Sequence, residues 1–71
     1  MYYTKEIVAD GINKEDVETI LNNAGFYPVS QITFYCPEST IYYDANGNPI
    51  ARYRGQTLEV KRYHNEEETQ M

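Results

Sequence analysis

One cysteine and one histidine in 71 residues leave little room for metal or nucleophilic chemistry. A lone Cys closes no intramolecular disulfide, so the fold must rest on a packed core or on oligomerisation, and a reducing, cytoplasmic setting is expected. Cys36 and His64 supply only two of the ligands that a structural zinc site needs, and a nucleophilic pair would require the imidazole beside the thiol. Cys36, at a strand end before Pro37, is expected to pack as a small buried hydrophobe. Long apolar runs are also missing. None reaches the length of a membrane span, and Met1–Glu6 has neither the basic start nor the apolar stretch of a signal peptide. There is no Gly-rich phosphate loop, no nucleophile elbow and no metal-spaced cluster, so no enzyme activity, cofactor or metal is expected. With no repeat and no linker, the chain reads as a single domain over 1–64 followed by a flexible acidic tail over 65–71.

Positive charge is scarce too. Six Lys and Arg against eleven Asp and Glu give a net charge of −5, which repels nucleic acid at long range. The exception is local: residues 49–64 hold Arg52, Arg54, Lys61 and Arg62 against Glu59 alone. Interleaved with Tyr53 and Tyr63, these could follow a phosphate backbone while rings stack on bases. Single-stranded nucleic-acid binding through Arg52, Tyr53, Arg54, Lys61 and Arg62 is therefore the alternative function.

What the chain does contain is a helix whose start, stop and buried face can be read from its letters. Asn13 is a favoured N-cap with Asp16 at the capping-box position, and Ile12 and Val17 are spaced as a hydrophobic staple. Val17, Ile20, Leu21 and Ala24 recur at the spacing of one helical face. Gly25 supplies a left-handed terminator, Phe26 is placed to fold back onto Leu21, and Pro28 bars continuation. So short a helix needs a surface to pack on.

Strand-like stretches provide that surface: Tyr2–Ala9, Val29–Cys36, Thr40–Asp44, Pro49–Arg52 and Thr57–Tyr63. The expected fold is α+β, a single short helix on one face of a four- to five-stranded, mainly antiparallel sheet in the order β-α-β-β-β-β. Asp44-Ala45-Asn46-Gly47-Asn48 superficially suggests a calcium loop, but its Gly and its twelfth residue, Gly55, are wrong for one. Asp and Asn bonding their own backbone in a tight turn explain the stretch better. Tyr43–Tyr53 resembles one unit of the tyrosine–aspartate repeats of Rhs-type shell proteins. The likeness covers 11 of 71 residues once, is that of a shared hairpin solution, and implies no function.

Register decides which side chains meet the helix. A two-residue Asn46-Gly47 loop pairs Tyr43 with Ile50 and Tyr42 with Ala51. At the next turn, a two-residue Gly55-Gln56 loop would pair Tyr53 with Leu58, whereas a three-residue loop with a bulge would pair Ile50 with Leu58. The bulged form is preferred because it gathers Ile32, Phe34, Ile41, Tyr43, Ile50, Leu58 and Val60 toward the helix. The outward face is then Tyr-rich. Eight Tyr in so short a chain are the compositional excess, and Tyr is favoured in interface cores. The leading expectation is a non-enzymatic protein-binding module of adaptor or inhibitor type, using Tyr35, Tyr42, Tyr63 and Lys61. A second copy of the chain is the other candidate partner. In size, acidity and lack of a catalytic constellation the chain is similar to many phage-encoded inhibitors.

Overall fold

The computed structural model describes residues 2–36 and 38–64. The acidic tail expected over 65–71, and Pro37 in the second turn, lie outside the described residues. Five strands and one helix follow the expected order: β1 Tyr2–Asp10, a 3₁₀ turn Lys14–Asp16, α1 Val17–Asn23, β2 Ser30–Tyr35, β3 Glu38–Tyr43, β4 Pro49–Arg54 and β5 Thr57–His64. All neighbouring strands pair antiparallel in one sheet with the spatial order β1-β5-β4-β3-β2. The meander β2 to β5 is thus completed by β1 beside β5, and β1 and β2 form the two edges. Among the described residues no helix is long and apolar enough to cross a membrane.

The helix ends as its sequence dictates and begins differently. Gly25 takes φ +90°, Phe26 N donates to Leu21 O at 2.8 Å, and Gly25 N donates to Asn22 O at 3.1 Å. Together these bonds make a Schellman motif that satisfies two otherwise orphaned carbonyls. At the other end Asn13 is extended but makes no side-chain cap bond, and the first turn is 3₁₀ with Asp16 N bonded to Asn13 O. The expected capping box is therefore not formed.

Val17 and Leu21 on α1 are fully buried, with Ile20 and Phe26 packed beside them. Opposite them the sheet contributes Tyr42, Ile50, Ala51, Leu58 and Val60 to the same cluster. This corrects the preferred register. The β4–β5 connection is the two-residue Gly55-Gln56 loop, with Tyr53 opposite Leu58 and Ala51 opposite Val60. Gly55 and Gln56 both have positive φ, +58° and +67°, the signature of a type I′ turn whose twist matches that of the flanking strands. Leu58 and Val60 face the helix as expected. Through the two-residue turn, however, Tyr42 and Thr40 now share that face, and Ile41 and Tyr43 point the other way.

The β3–β4 turn is also longer than expected. Gly47 N bonds Asp44 O, Asp44 N bonds Asn48 O, and Asp44 Oδ1 accepts from both Asn46 N and Asn48 N. This is a three-residue hairpin loop with Gly47 at φ +81° in the left-handed position, held by the Asp44 carboxylate as a tight-turn role for Asp requires. It pairs Tyr43 with Pro49 rather than with Ile50, and a bulge at Ile50 restores the expected pairing of Tyr42 with Ala51. Because a bulge places two consecutive residues opposite one, Ile50 and Ala51 both reach the core. A second bulge at Val8, between Ile7 and Ala9 of β1, brings Val8 and Ala9 against the core together and leaves Ile7 outside.

Candidate functional site

Two apolar stripes run across this sheet, one on each face, and a helix of one narrow stripe covers only one of them. Register with the buried set assigns the uncovered outer face to Ile7 of β1, Glu59, Lys61 and Tyr63 of β5, Arg52 of β4, Ile41 and Tyr43 of β3, and Ile32 and Phe34 of β2. Ile7 is 63% exposed, Ile32 50% and Phe34 46%, while Ile41 and Tyr43 are half-buried among their neighbours. Lys5, Ile41, Tyr43, Arg52, Glu59 and Lys61 line a shallow groove of about 270 Å³ on this face.

The charge of the face is opposite to that of the chain. Lys5, Arg52, Arg54 and Lys61 stand on it against two carboxylates, Asp10 at the end of β1 and Glu59, which holds Arg52 Nη2 at 3.4 Å across the strand pair. Acid collects on the helix side instead, where Glu15, Asp16 and Glu18 are exposed in the first turns. At the β1–β5 end, Tyr3 and Tyr63 form a tilted cross-strand pair with centroids 5.7 Å apart. The Lys61 ammonium lies 4.7 Å from the Tyr3 ring centroid, within cation–π range. The Tyr63 hydroxyl donates to Pro49 O at 2.8 Å. Burial, then Tyr3, then Asp44 hold that hydroxyl above its ordinary pKa, so it stays a neutral donor.

The expected binding residues are divided by this geometry. Tyr63 and Lys61 lie on the outer face, as anticipated. Tyr42 does not: it is 2% exposed and sits under the helix, because the two-residue turn at Gly55 reverses the faces of β2 and β3 relative to the preferred register. Tyr35 is 92% exposed but alternates onto the helix side, at the end of edge strand β2. The alternative nucleic-acid strip is split as well. Arg52, Arg54 and Lys61 share the outer face. Tyr53 instead packs against the core and donates to Ile12 O, while Arg62 sits on the helix side, bonded to Glu6 at 2.8 Å and stacked over Phe26 at 5.1 Å.

Two further expectations are corrected. Cys36 is exposed in the β2–β3 turn rather than packed, because β2 is an edge strand with no described strand beyond it. His64 ends β5 instead of starting a loose tail, stacked on Tyr2 at 4.9 Å with Thr4 Oγ1 3.1 Å from its Nε2. The two residues occupy opposite corners of the sheet. Among the described residues no three His, Cys, Asp or Glu side chains are grouped to hold a metal.

Comparison with known proteins adds no assignment. No protein-family model, no curated protein and no solved structure matches this chain. The residues that register reasoning missed, Ile7, Ile32, Phe34, Ile41 and Tyr43, carried one legible signal. Ile32 and Phe34 alternate so regularly with polar neighbours that they had to share one face, whichever face it was.

Proposed function

We propose that the chain is a non-enzymatic protein-binding module, of adaptor or inhibitor type, whose docking surface is the open outer face of its sheet. The observation that carries this reading is the apolar stripe Ile32, Phe34, Ile41 and Tyr43 on a face that no described element covers, beside a basic groove in an acidic chain. Contiguous exposed apolar surface of this kind marks interaction sites, because a monomer gains nothing by leaving it in water. The Lys5, Arg52 and Lys61 rim favours a partner whose own contact surface is apolar and ringed with acid, which would steer its approach. Tyr63, with one apolar side and a bonded hydroxyl, suits the rim of such a contact.

The test is capture from a lysate of the source organism by immobilised wild type and by Ile41→Glu, followed by titration with the purified partner. Ile41→Glu is expected to weaken binding at least tenfold, as a charge in the middle of an interface does. The helix-side control Glu18→Lys is expected to bind normally. A partner insensitive to Ile41→Glu but lost in Glu18→Lys would overturn the assignment of the face. Retention of oligonucleotides, with steep weakening by salt, would instead assign the Lys5, Lys61, Arg52, Tyr3 and Tyr63 end of the face to phosphate and base contacts.

A further inference from the structure

The two edges of the sheet are treated differently. β1 carries Lys5, Glu6 and Asp10 and a bulge at Val8, the devices by which natural edges resist pairing with another chain. β2, Ser30-Gln31-Ile32-Thr33-Phe34-Tyr35, has no charged residue, no proline and an unbroken register with β3. All six of its residues are exposed. Every second residue of such a strand turns its N–H and C=O to the open side, and no described strand covers that row. Around it the exposed apolar side chains are dense: Tyr27, Val29, Ile32, Phe34 and Tyr35 all lie within nine consecutive residues.

We infer that β2 pairs antiparallel with β2 of a second copy, joining two five-stranded sheets into one. Three physical arguments select a second copy. An isologous contact must be complementary to itself, and an uncharged strand edge is so by construction, since an antiparallel pair exchanges N–H for C=O in both directions. Two chains of net charge −5 repel, and a contact line without charge is where they approach at least cost. The area is also adequate. The exposed parts of Tyr27, Phe34 and Tyr35 amount to about two whole aromatic side chains, about 300–500 Å². Val29, Ile32 and the strand backbone bring the patch toward the about 800 Å² per partner of a standard interface.

The two-fold axis of such a pair stands perpendicular to the sheet, so both helices lie on one side and both outer faces on the other. The docking face proposed above becomes continuous across the dyad through Ile32 and Phe34 of each copy. In that respect the pairing builds on the protein-binding reading, yet the two can fail separately.

The experiment is sedimentation equilibrium of the full chain, combined with amide exchange at increasing concentration. Wild type is expected to dimerise, and alternate amides of β2 are expected to gain protection as the dimer fills. Gln31→Lys/Tyr35→Lys places like charges on the strand without touching the outer face. It is expected to raise the dimer dissociation constant at least about tenfold while its circular dichroism and thermal unfolding stay those of a folded monomer. Ile41→Glu, by contrast, is expected to remain dimeric while losing the outside partner. A wild type that is monomeric at every concentration would overturn the inference, as would a dimer whose β2 amides stay unprotected. A dimer dissolved by Ile41→Glu but not by the two lysines would show that copies meet through the outer face instead.

Discussion

Tyr42 and Tyr43 are neighbours in sequence with opposite fates, and the difference between them is measurable. The Tyr42 ring is buried against α1, so Tyr42→Ala is expected to cost about 3–5 kcal/mol as a large core truncation. Tyr43 is half-buried on the outer face, so Tyr43→Ala is expected to cost clearly less and to weaken partner binding instead. Denaturant midpoints of the two variants check the order. A greater loss from Tyr43 would restore the bulged register at Gly55. Burial also shifts the Tyr42 hydroxyl: desolvation, then Glu18, then Tyr53 raise its pKa above the ordinary value of 10.0. The native state thus keeps Tyr42 neutral at a pH where the unfolded chain has begun to release that proton. Its stabilising contribution is intact below about pH 10 and lost as pH climbs through the raised value. Tyr42→Phe, which cannot ionise, is expected to flatten the fall of the urea midpoint above pH 10. An equally steep fall in the variant would place the alkaline loss elsewhere.

At the scale of elements, two short turns determine more than their length suggests. The Gly55-Gln56 turn requires positive φ at both central residues, yet only one of them is glycine. Gln56 therefore sits in the left-handed region at some steric cost. Gln56→Gly removes that cost, offset in part by the greater freedom of glycine in the unfolded chain, and is expected to stabilise by up to about 1 kcal/mol. Thermal unfolding checks the sign. A destabilised variant would mean that the Gln56 side chain contributes more than its backbone costs, since the Gln56 O···Ile12 N bond of 3.1 Å survives the substitution. The Ala45-Asn46-Gly47 loop has the reverse economy, with glycine at the left-handed position and the Asp44 carboxylate closing the turn on two amides. Between them the two turns fix the pairing of β3, β4 and β5, and with it the side of the sheet on which each apolar residue lies.

At the scale of the whole molecule, one seven-residue helix faces a sheet of five strands, and among the described residues this leaves the opposite face and the β2 edge open. The sequence by itself determined the elements, because each is specified locally. Gly25 and Phe26 dictate the Schellman end of α1, the spacing of Val17, Ile20 and Leu21 dictates its buried stripe, and β-rich runs between Gly, Asn and Asp turns dictate the strands. It also determined that Leu58 and Val60 share a face, as do Ile32 and Phe34, since alternation is a property of one strand. Which of these pairs meets the helix could not be read from any one strand. That choice depends on the loop count at Gly55 and the bulges at Val8 and Ile50, where a single residue reverses a face and several backbones of similar local energy compete. Tertiary packing decided among them by the one arrangement that buries Tyr42, Ile50, Ala51, Leu58 and Val60 together under Val17 and Leu21. The same decision turned Ile32, Phe34, Ile41 and Tyr43 outward. The sequence names these residues as apolar, but only the long-range register makes them a surface.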